Sequence, residues 1–117
     1  MKNLTTFDEL MAEADKAALY SKLIEQLNKD LALANVDLDF ASDVLPSSLK
    51  LLLHEKIYQL IQERFIEYLN LLYIIDVSEE QVRELDGNDT LELSKNVTFL
   101  ILKREWQKVY YRNKSAL

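Results

Sequence analysis

Residues 48–75 read SLKLLLHEKIYQLIQERFIEYLNLLYII, a stretch without glycine or proline. Large side chains recur in it every three or four positions, which is the spacing of one face of an α-helix. That face carries Leu51, His54, Tyr58, Ile61, Phe65, Tyr68, Leu72 and Ile75. Further leucines and isoleucines widen the apolar arc well beyond the ~100° typical of a surface helix. We therefore predict that residues 48–75 form a central helix, covered by neighbouring helices on more than one side.

The same period extends to both sides of this stretch. Residues 7–34 contain no glycine or proline and repeat apolar or small residues at helical spacing, which predicts a second long helix. Thr6 and Glu9 form a capping-box pattern at its start. Asn35 is a plausible residue for its C-terminal cap. Residues 90–112 predict a third long helix.

A short helix is expected between the second and third long helices, at about 79–85. Ser78 and Gln81 form the capping pattern at its start, and Gly87 is suited to a left-handed cap at its end. Before the central helix, residues 36–46 have no regular period and contain the chain's one proline. Leu38 and Phe40 are expected to hold this connector against the core.

These elements predict an all-α fold, a small bundle of three long helices (about 7–34, 48–75 and 90–112) and one short helix (about 79–85). The 117 residues are expected to form a single domain, 1–117, with one hydrophobic core. A helix of about 28 residues is ~42 Å long. A compact domain of this size has a diameter near ~35 Å. The prediction is therefore a molecule that is elongated or that pairs with a second copy.

The composition argues against most catalytic chemistry. The chain has no cysteine, one histidine and one glycine, which excludes thiolate chemistry and glycine-rich phosphate loops. Residues 86–89 resemble the start of a calcium loop, but Leu91 and Val97 stand where such a loop needs glycine and glutamate. We therefore predict that the protein is not an enzyme and has no metal site and no cofactor.

Three polar features of the central helix have structural explanations. His54 is expected to be largely buried and bonded to a hydroxyl or carbonyl group near a helix start. Glu63 and Glu67 lie on the polar stripe and are expected to face solvent. Arg64 is expected to form an ion pair with an acidic residue of 76–92.

The charge is unevenly distributed around a net charge of −6. Residues 76–92 contain seven acidic side chains and one basic, whereas residues 103–114 contain five basic and one acidic. Basic residues interleaved with aromatics such as Trp106 can bind single-stranded nucleic acid. Nucleic-acid binding through 103–114 is therefore one alternative, although the acidic segment would repel phosphate. An acidic monomeric inhibitor, immunity or chaperone-like protein for a basic partner is another.

The leading hypothesis is a protein–protein interaction in which the chain forms a homodimer. The last helix carries a second apolar face, roughly opposite the one containing Trp106, that a monomer cannot easily bury. Aromatic residues and arginine are common anchors in interfaces. The predicted interface consists of Leu93, Val97, Leu100, Ile101 and Tyr111, with Arg104, Lys108 and Arg112 at its rim.

The sequence lacks the pattern of a targeting or membrane segment. Its first residues run directly into acidic Asp8 and Glu9 instead of an apolar stretch. The most apolar window, residues 65–75, is far shorter than the ~20 residues of a spanning helix. We therefore expect a soluble cytoplasmic protein that does not interact with membranes, with a secreted protein whose leader has been removed as the alternative.

Overall fold

The computed structural model describes residues 3–115, in which six helices follow one another along the chain. They are α1 (Phe7–Lys16), α2 (Tyr20–Leu33), α3 (Pro46–Glu63), α4 (Phe65–Ile75), α5 (Glu79–Arg83) and α6 (Thr90–Ser115). Residues 3–115 contain no β-strand, which confirms the predicted all-α bundle. Within the same residues, no helix has both the length and the apolar character that crossing a membrane requires.

The first predicted helix is divided in two at Ala17–Leu19. Ala18 has a positive φ of 57°, and this left-handed residue turns the chain. The Leu19 amide donates to the Ala14 carbonyl at 2.9 Å and the Ala18 amide donates to the Asp15 carbonyl at 3.0 Å, as in a Schellman motif. The prediction of one helix over 7–34 is therefore wrong. No glycine in the sequence marks the break. The position of the break follows from tertiary packing, since both segments and Leu19 bury apolar side chains in the same core.

The second predicted helix is also divided. Arg64 leaves the helical conformation (φ −142°, ψ 58°) and separates α3 from α4. The Arg64 amide still donates to the Leu60 carbonyl at 2.9 Å, and the Tyr68 amide donates to the Arg64 carbonyl at 3.0 Å. The chain bends at one residue while hydrogen bonding continues on both sides. The prediction of a continuous helix over 48–75 is thus wrong.

The central element is α6, and this corrects the prediction that residues 48–75 occupy the centre. Its 26 residues span ~39 Å, nearly the full 41 Å length of the molecule. It contacts α1, α2, α3 and α4. Five of its apolar side chains are buried: Val97, Ile101, Leu102, Trp106 and Val109. Both apolar faces of the last helix are therefore used within one chain.

Side-chain caps start two of the helices as predicted. Thr6 Oγ1 accepts from the Glu9 amide at 3.1 Å at the start of α1. The Glu9 carboxylate in return accepts from the Thr5 amide at 3.2 Å and from the Thr6 hydroxyl at 3.1 Å. Ser78 Oγ accepts from the Gln81 amide at 3.3 Å at the start of α5.

The helix ends follow the prediction at one position and depart from it at another. Asn35 adopts a positive φ of 57° after α2, as predicted for a left-handed C-terminal residue. Gly87 does not have a positive φ, so its predicted role as a left-handed cap is wrong. Helix α5 ends earlier, at Arg83, and its cap residue Glu84 keeps a right-handed helical conformation.

The connector between α2 and α3 is held to the core as predicted. Phe40 is buried and Leu38 is half-buried against the same cluster. The Asn28 side chain of α2 adds two hydrogen bonds: its Oδ1 accepts from the Phe40 amide at 2.9 Å and its Nδ2 donates to the Phe40 carbonyl at 2.8 Å. One side chain therefore replaces the backbone partner that this loop lacks.

Candidate protein-interaction surface

The apolar residues of the predicted α6 interface lie mostly inside the molecule. Val97 and Ile101 are fully buried, and Leu93 and Leu100 are partly buried against the same core. Tyr111 is mainly exposed and packs edge-on against the Tyr110 ring. This corrects the interpretation of the second α6 face. Neighbouring helices of the same chain cover Val97 and Ile101, so these residues present no surface to a second copy.

The basic residues at the predicted rim make contacts within the chain. Arg104 donates from Nε to the Asp76 carbonyl and from Nη2 to the Asp76 carboxylate, each at 3.0 Å. Lys108 Nζ donates to Asp30 Oδ2 at 2.8 Å. Arg112 Nη2 donates to Gln26 Oε1 at 2.8 Å. Tethered in this way, the three cations hold α6 to α2 and to the end of α4.

A buried group of charged residues joins α2 to α6. Lys108 Nζ lies 2.8 Å from Asp30 Oδ2 and 3.2 Å from Glu105 Oε1, and both carboxyl groups are buried. Burial, together with hydrogen bonding to the Asp30 carboxylate, raises the pKa of Glu105 to about 9. Burial opposes ionisation of Asp30 too, but hydrogen bonds from Glu105 and Lys108 outweigh it and lower the Asp30 pKa. Glu105 is thus the protonated partner at neutral pH.

This charged group is structural in character, although two carboxyl groups with separated pKa values also occur in acid–base sites. The cleft beside it is lined by Gln26, Arg112 and their neighbours and does not include Asp30 or Glu105. A substrate would not reach either carboxyl group there. The predictions from the sequence do not include this buried charged group. Glu105 follows Ile101 by one turn on an apolar face of the last helix, and a glutamate at such a position indicates a buried carboxyl group.

An exposed apolar strip runs along α4. It consists of Phe65, Ile66, Leu69 and Tyr73, and we call it the α4 strip. Ile66 and Tyr73 retain 77% and 82% of their accessible surface. Spacings of three and four place Ile66, Leu69 and Tyr73 on neighbouring positions of one helix face. Helix α4 therefore presents a second apolar face to solvent, opposite residues such as Leu71 and Ile75 that enter the core.

The α4 strip continues into a groove of about 610 Å³ between α4 and α5, which we call the α4–α5 groove. Its apolar lining comes from Leu69, Leu72, Tyr73, Val77 and Val82. Asp76, Glu79 and Arg83 supply the charged lining. The α5 side of the groove belongs to the acidic segment 76–92, in which seven carboxylates accompany a single basic residue, Arg83, that itself lines the groove.

The α4 strip was not predicted as a surface. The sequence interpretation assigned the apolar residues of 48–75 to a broad buried arc. The buried residues include Leu49, Leu53, Ile57 and Leu60 of α3 and Tyr68, Leu71 and Ile75 of α4. They continue one helical face at spacings of three and four across Arg64, and the α4 strip lies on the other side of α4. Leu51 and Phe65, which were predicted on the buried face, are exposed.

His54 makes the hydrogen bond expected for it, although its side chain is half-buried and not largely buried. The ring is half-buried, and Nε2 lies 2.7 Å from Ser94 Oγ near the start of α6. Ser94 donates its own hydroxyl hydrogen to the Leu91 carbonyl at 2.7 Å. His54 Nε2 is therefore the donor to Ser94, and the prediction of a bond to a hydroxyl near a helix start is confirmed.

The remaining polar residues of the central stretch are exposed. Glu63 and Glu67 both face solvent, as predicted. Arg64 Nη1 lies 3.2 Å from Glu67 Oε2, three residues along the chain. The predicted ion pair between Arg64 and the segment 76–92 is thus wrong, because the bend directs Arg64 towards the first turn of α4.

The segment that resembles a calcium loop forms a turn and a helix start. The Asn88 amide donates to Asp86 Oδ1 at 2.9 Å, and the Glu92 amide donates to Asp89 Oδ1 at 3.2 Å. These bonds are typical of a local turn followed by a helix cap. Among residues 3–115, no group of three or more histidine or acidic side chains is arranged to hold a metal ion.

The basic and aromatic residues of 103–114 are also engaged internally. Trp106 is fully buried, so its indole is not available to stack on a base. Lys103 Nζ lies 3.4 Å from Asn3 Oδ1, and Lys114 Nζ lies 5.9 Å from the centre of the Tyr110 ring. The aromatic anchor on which the nucleic-acid alternative depended is part of the core.

The fold defines a small all-α bundle with an apolar strip on α4 and a groove with an acidic margin beside it. No family model matches the sequence, and neither a curated protein nor a solved structure gives a significant match.

Proposed function

We propose that this chain is a non-enzymatic binding protein that receives a basic amphipathic helix of another protein on the α4 strip and in the α4–α5 groove. The observation that carries the proposal is the contiguous exposure of Phe65, Ile66, Leu69 and Tyr73 beside an acidic segment.

The apolar character of the α4 strip supports a protein partner. Isolated exposed apolar residues are ordinary, but adjacent large ones mark interaction surfaces. Phe65 and Tyr73 are aromatic, and such residues are enriched among interface anchors. A groove flanked by a helix with apolar side chains suits a partner helix whose apolar residues recur at spacings of three and four.

The charge of the surroundings supports a basic partner over a second copy. Glu79 and Arg83 line the groove, the Asp76 carboxylate beside them is bound by Arg104, and the rest of segment 76–92 adds five further carboxylates. Complementary charge accelerates association and contributes to specificity. Two copies that met through this surface would bring two acidic segments together, which is unfavourable.

Binding of two designed helical peptides would test the proposal. One peptide carries leucine on one face and lysine on the other, and the second replaces each lysine with glutamate. We expect the lysine peptide to bind, with an affinity that falls as salt is added, and the glutamate peptide to bind at least about tenfold more weakly. Fluorescence anisotropy of labelled peptides measures both. Equal affinity for the two peptides, or no binding of either, would reject a basic partner.

Substitutions in the α4 strip locate the site. Ile66→Glu and Tyr73→Glu alter side chains that are already exposed, so the helical circular dichroism spectrum should be unchanged. We expect each to weaken binding of the lysine peptide about tenfold or more, because a carboxylate would be buried against the peptide's apolar face. Leu33→Glu is the matched control, since Leu33 is 61% exposed on α2, outside the strip. Equal weakening by Leu33→Glu would contradict the assignment.

Light scattering after size-exclusion chromatography distinguishes the partner helix from a second copy. If the partner is a helix of another protein, we expect the chain alone to show the monomer mass of 13.7 kDa at all loading concentrations. A mass twice as large that returns to the monomer value with Ile66→Glu would assign the α4 strip to a homodimer and overturn the proposed partner.

A further inference from the structure

A second cleft, of about 530 Å³, lies where the start of α1, the start of α3 and the middle of α6 meet. We call it the His54 cleft. Its lining is Thr5, Thr6, Phe7, Ser47, Lys50, Leu51, His54, Lys95, Asn96, Thr98, Phe99 and Leu102. It shares no residue with the α4–α5 groove. The volume falls in the range of ~300–1,000 Å³ that small-molecule sites occupy.

The charges that line the His54 cleft have one sign. Lys50 and Lys95 contribute ammonium groups, and no aspartate or glutamate lines the cleft. Two carboxylates stand behind this lining: Glu92 Oε2 lies 3.9 Å from Lys95 Nζ, and Glu9 Oε1 accepts from the Thr5 and Thr6 hydroxyls. The lining itself is positive in a chain whose net charge is −6. A concave site lined by one sign of charge concentrates its field on ligands of the opposite sign. The His54 cleft therefore favours an anion.

The two ammonium groups have hydrogen-bonding capacity to offer. Lys50 Nζ lies 5.0 Å from the centre of the Phe7 ring, and among residues 3–115 it has no carboxylate within ion-pair distance. Lys95 Nζ is 3.9 Å from Glu92 Oε2, a loose and exposed contact. Each ammonium carries three donors. Both can turn to a ligand without breaking a buried ion pair.

Apolar side chains form part of the remaining wall, and two of the inward polar groups have partners within the chain. Phe7, Phe99 and Leu102 line the cleft together with Leu51, whose side chain is more than half exposed. The Thr98 hydroxyl donates to the Ser94 carbonyl at 2.7 Å, and His54 Nε2 is bonded to Ser94 Oγ. The Thr98 hydroxyl and His54 Nε2 therefore have hydrogen-bond partners without water or ligand. The apolar side chains between the lysines are suited to contact the apolar part of a ligand.

We propose that the His54 cleft binds a small amphiphilic anion, a carboxylate with an aliphatic or aromatic body. Lys50 and Lys95 hold the carboxylate by charge and hydrogen bonding. Phe7, Phe99 and Leu51 cover the apolar body and remove it from water. The proposal is independent of the partner helix proposed for the α4 strip, because the two surfaces have no residue in common.

Titration with decanoate below its micelle concentration tests the proposal on the full-length chain. We expect the amide resonances of Phe7, Lys50, Thr98 and Phe99 to shift in a saturable manner in ¹H–¹⁵N NMR spectra. Decyltrimethylammonium has the same tail and the opposite charge, and we expect it to leave these resonances in place. Absence of decanoate shifts in the cleft, or equal binding of the cationic amphiphile there, would overturn the proposal.

Charge-reversal variants test the role of the lysines. We expect Lys50→Glu and Lys95→Glu each to raise the decanoate dissociation constant about threefold or more, and the double variant about tenfold or more. Lys22→Glu is the matched control. Lys22 lies 3.6 Å from Glu25 at a spacing of three residues and is 65% exposed, much as Lys95 is beside Glu92. An unchanged dissociation constant in the double variant, or an equal loss in Lys22→Glu, would reject the assignment of the head group.

Discussion

Glu105 is fully buried between α2 and α6, with Asp30 and Lys108 as its charged neighbours. An ionised Glu105 carboxylate would lose its hydration and would be repelled by the Asp30 charge. These two free-energy costs together exceed the stabilisation from attraction to Lys108. Protonation removes the repulsion and lets Glu105 donate to Asp30. One lysine then balances one carboxylate, and the joint between α2 and α6 contains no uncompensated charge.

Glu105 should give the free energy of unfolding a distinctive pH dependence. Its pKa is about 9 in the folded chain and near 4.5 when unfolded, so between these values the folded state binds more protons. Stability should therefore fall as pH rises from about 5 to about 9. The lowered pKa of Asp30 acts elsewhere, since its contribution is lost only as pH falls below the ordinary value of 3.8.

Glu105→Gln should remove most of this slope and raise the free energy of unfolding at pH 8 by about 1 kcal/mol or more. Glutamine is neutral at every pH and keeps a donor for Asp30. Urea unfolding followed by circular dichroism at pH 5, 7 and 8.5 measures the difference. Parallel pH profiles for the two proteins would contradict a protonated Glu105.

Ile101→Ala distinguishes core from interface at a residue the sequence had assigned to a homodimer. Ile101 is fully buried within one chain, so we expect the variant to lose about 2–4 kcal/mol in free energy of unfolding. The loss should be the same at all protein concentrations. Leu91→Ala, at an exposed position of the same helix, should cost well under about 1 kcal/mol. A loss that depended on protein concentration would instead point to association through Ile101.

At the scale of elements, three of the helices are followed by a residue in the left-handed conformation. Ala18, Asn35 and Asp76 follow α1, α2 and α4 with positive φ values of 57°, 57° and 68°. Asparagine and aspartate tolerate this conformation better than other residues with a β-carbon, whereas alanine pays a steric cost of about 1 kcal/mol. The turn at Ala18 therefore persists because packing of α1 and α2 demands it, against local preference.

Ala18→Gly should raise the free energy of unfolding by about 0.5–1 kcal/mol, because glycine adopts the left-handed conformation without that cost. Ala12→Gly is the matched control at an exposed position inside α1, where the same change should lower it by about 1 kcal/mol. Thermal and urea unfolding of both variants measure the opposite signs. A loss of stability in Ala18→Gly would mean that the chain does not turn there.

The connector to α3 depends on Asn28, whose side chain accepts from and donates to the Phe40 backbone. Asn28→Ala should lower the free energy of unfolding by about 1–3 kcal/mol, since it leaves two partly buried backbone groups without partners. Asn28→Asp keeps the acceptor for the Phe40 amide and should lose less. Hydrogen exchange at the Phe40 amide reports this directly: it should accelerate strongly in Asn28→Ala and only slightly in Asn28→Asp. Equal exchange in both variants would contradict this arrangement.

At the scale of the whole molecule, the two breaks resolve a conflict of dimensions. Continuous helices over 7–34 and 48–75 would exceed the diameter of a compact domain, which led the sequence analysis to an elongated or paired molecule. The described residues measure 41 × 27 × 24 Å with a radius of gyration of 13.6 Å, close to the ~13 Å of a compact domain. Only α6 keeps a length near the longest dimension, and the other helices pack around it.

The overall distribution of charge separates the two proposed sites. The α4–α5 groove lies in acidic surroundings and the His54 cleft has basic lining, so cations and anions should select different surfaces. In a competition at low salt, we expect the lysine peptide and decanoate to bind simultaneously, each with an affinity that the other changes less than about twofold. Mutual displacement would mean that they share one surface.

The sequence by itself determined the all-α class, the caps at Thr6 and Ser78, the left-handed end at Asn35 and the anchoring of Phe40. These features depend on periodicity and on contacts within a few residues, which are readable along the chain. The tertiary structure decided where helices break at Ala18 and Arg64, which apolar arc is covered and which stays exposed. It also decided the pairing of Asp30 with Lys108, 78 positions apart. Such outcomes depend on how distant helices share one core, and local patterns contain no record of that packing.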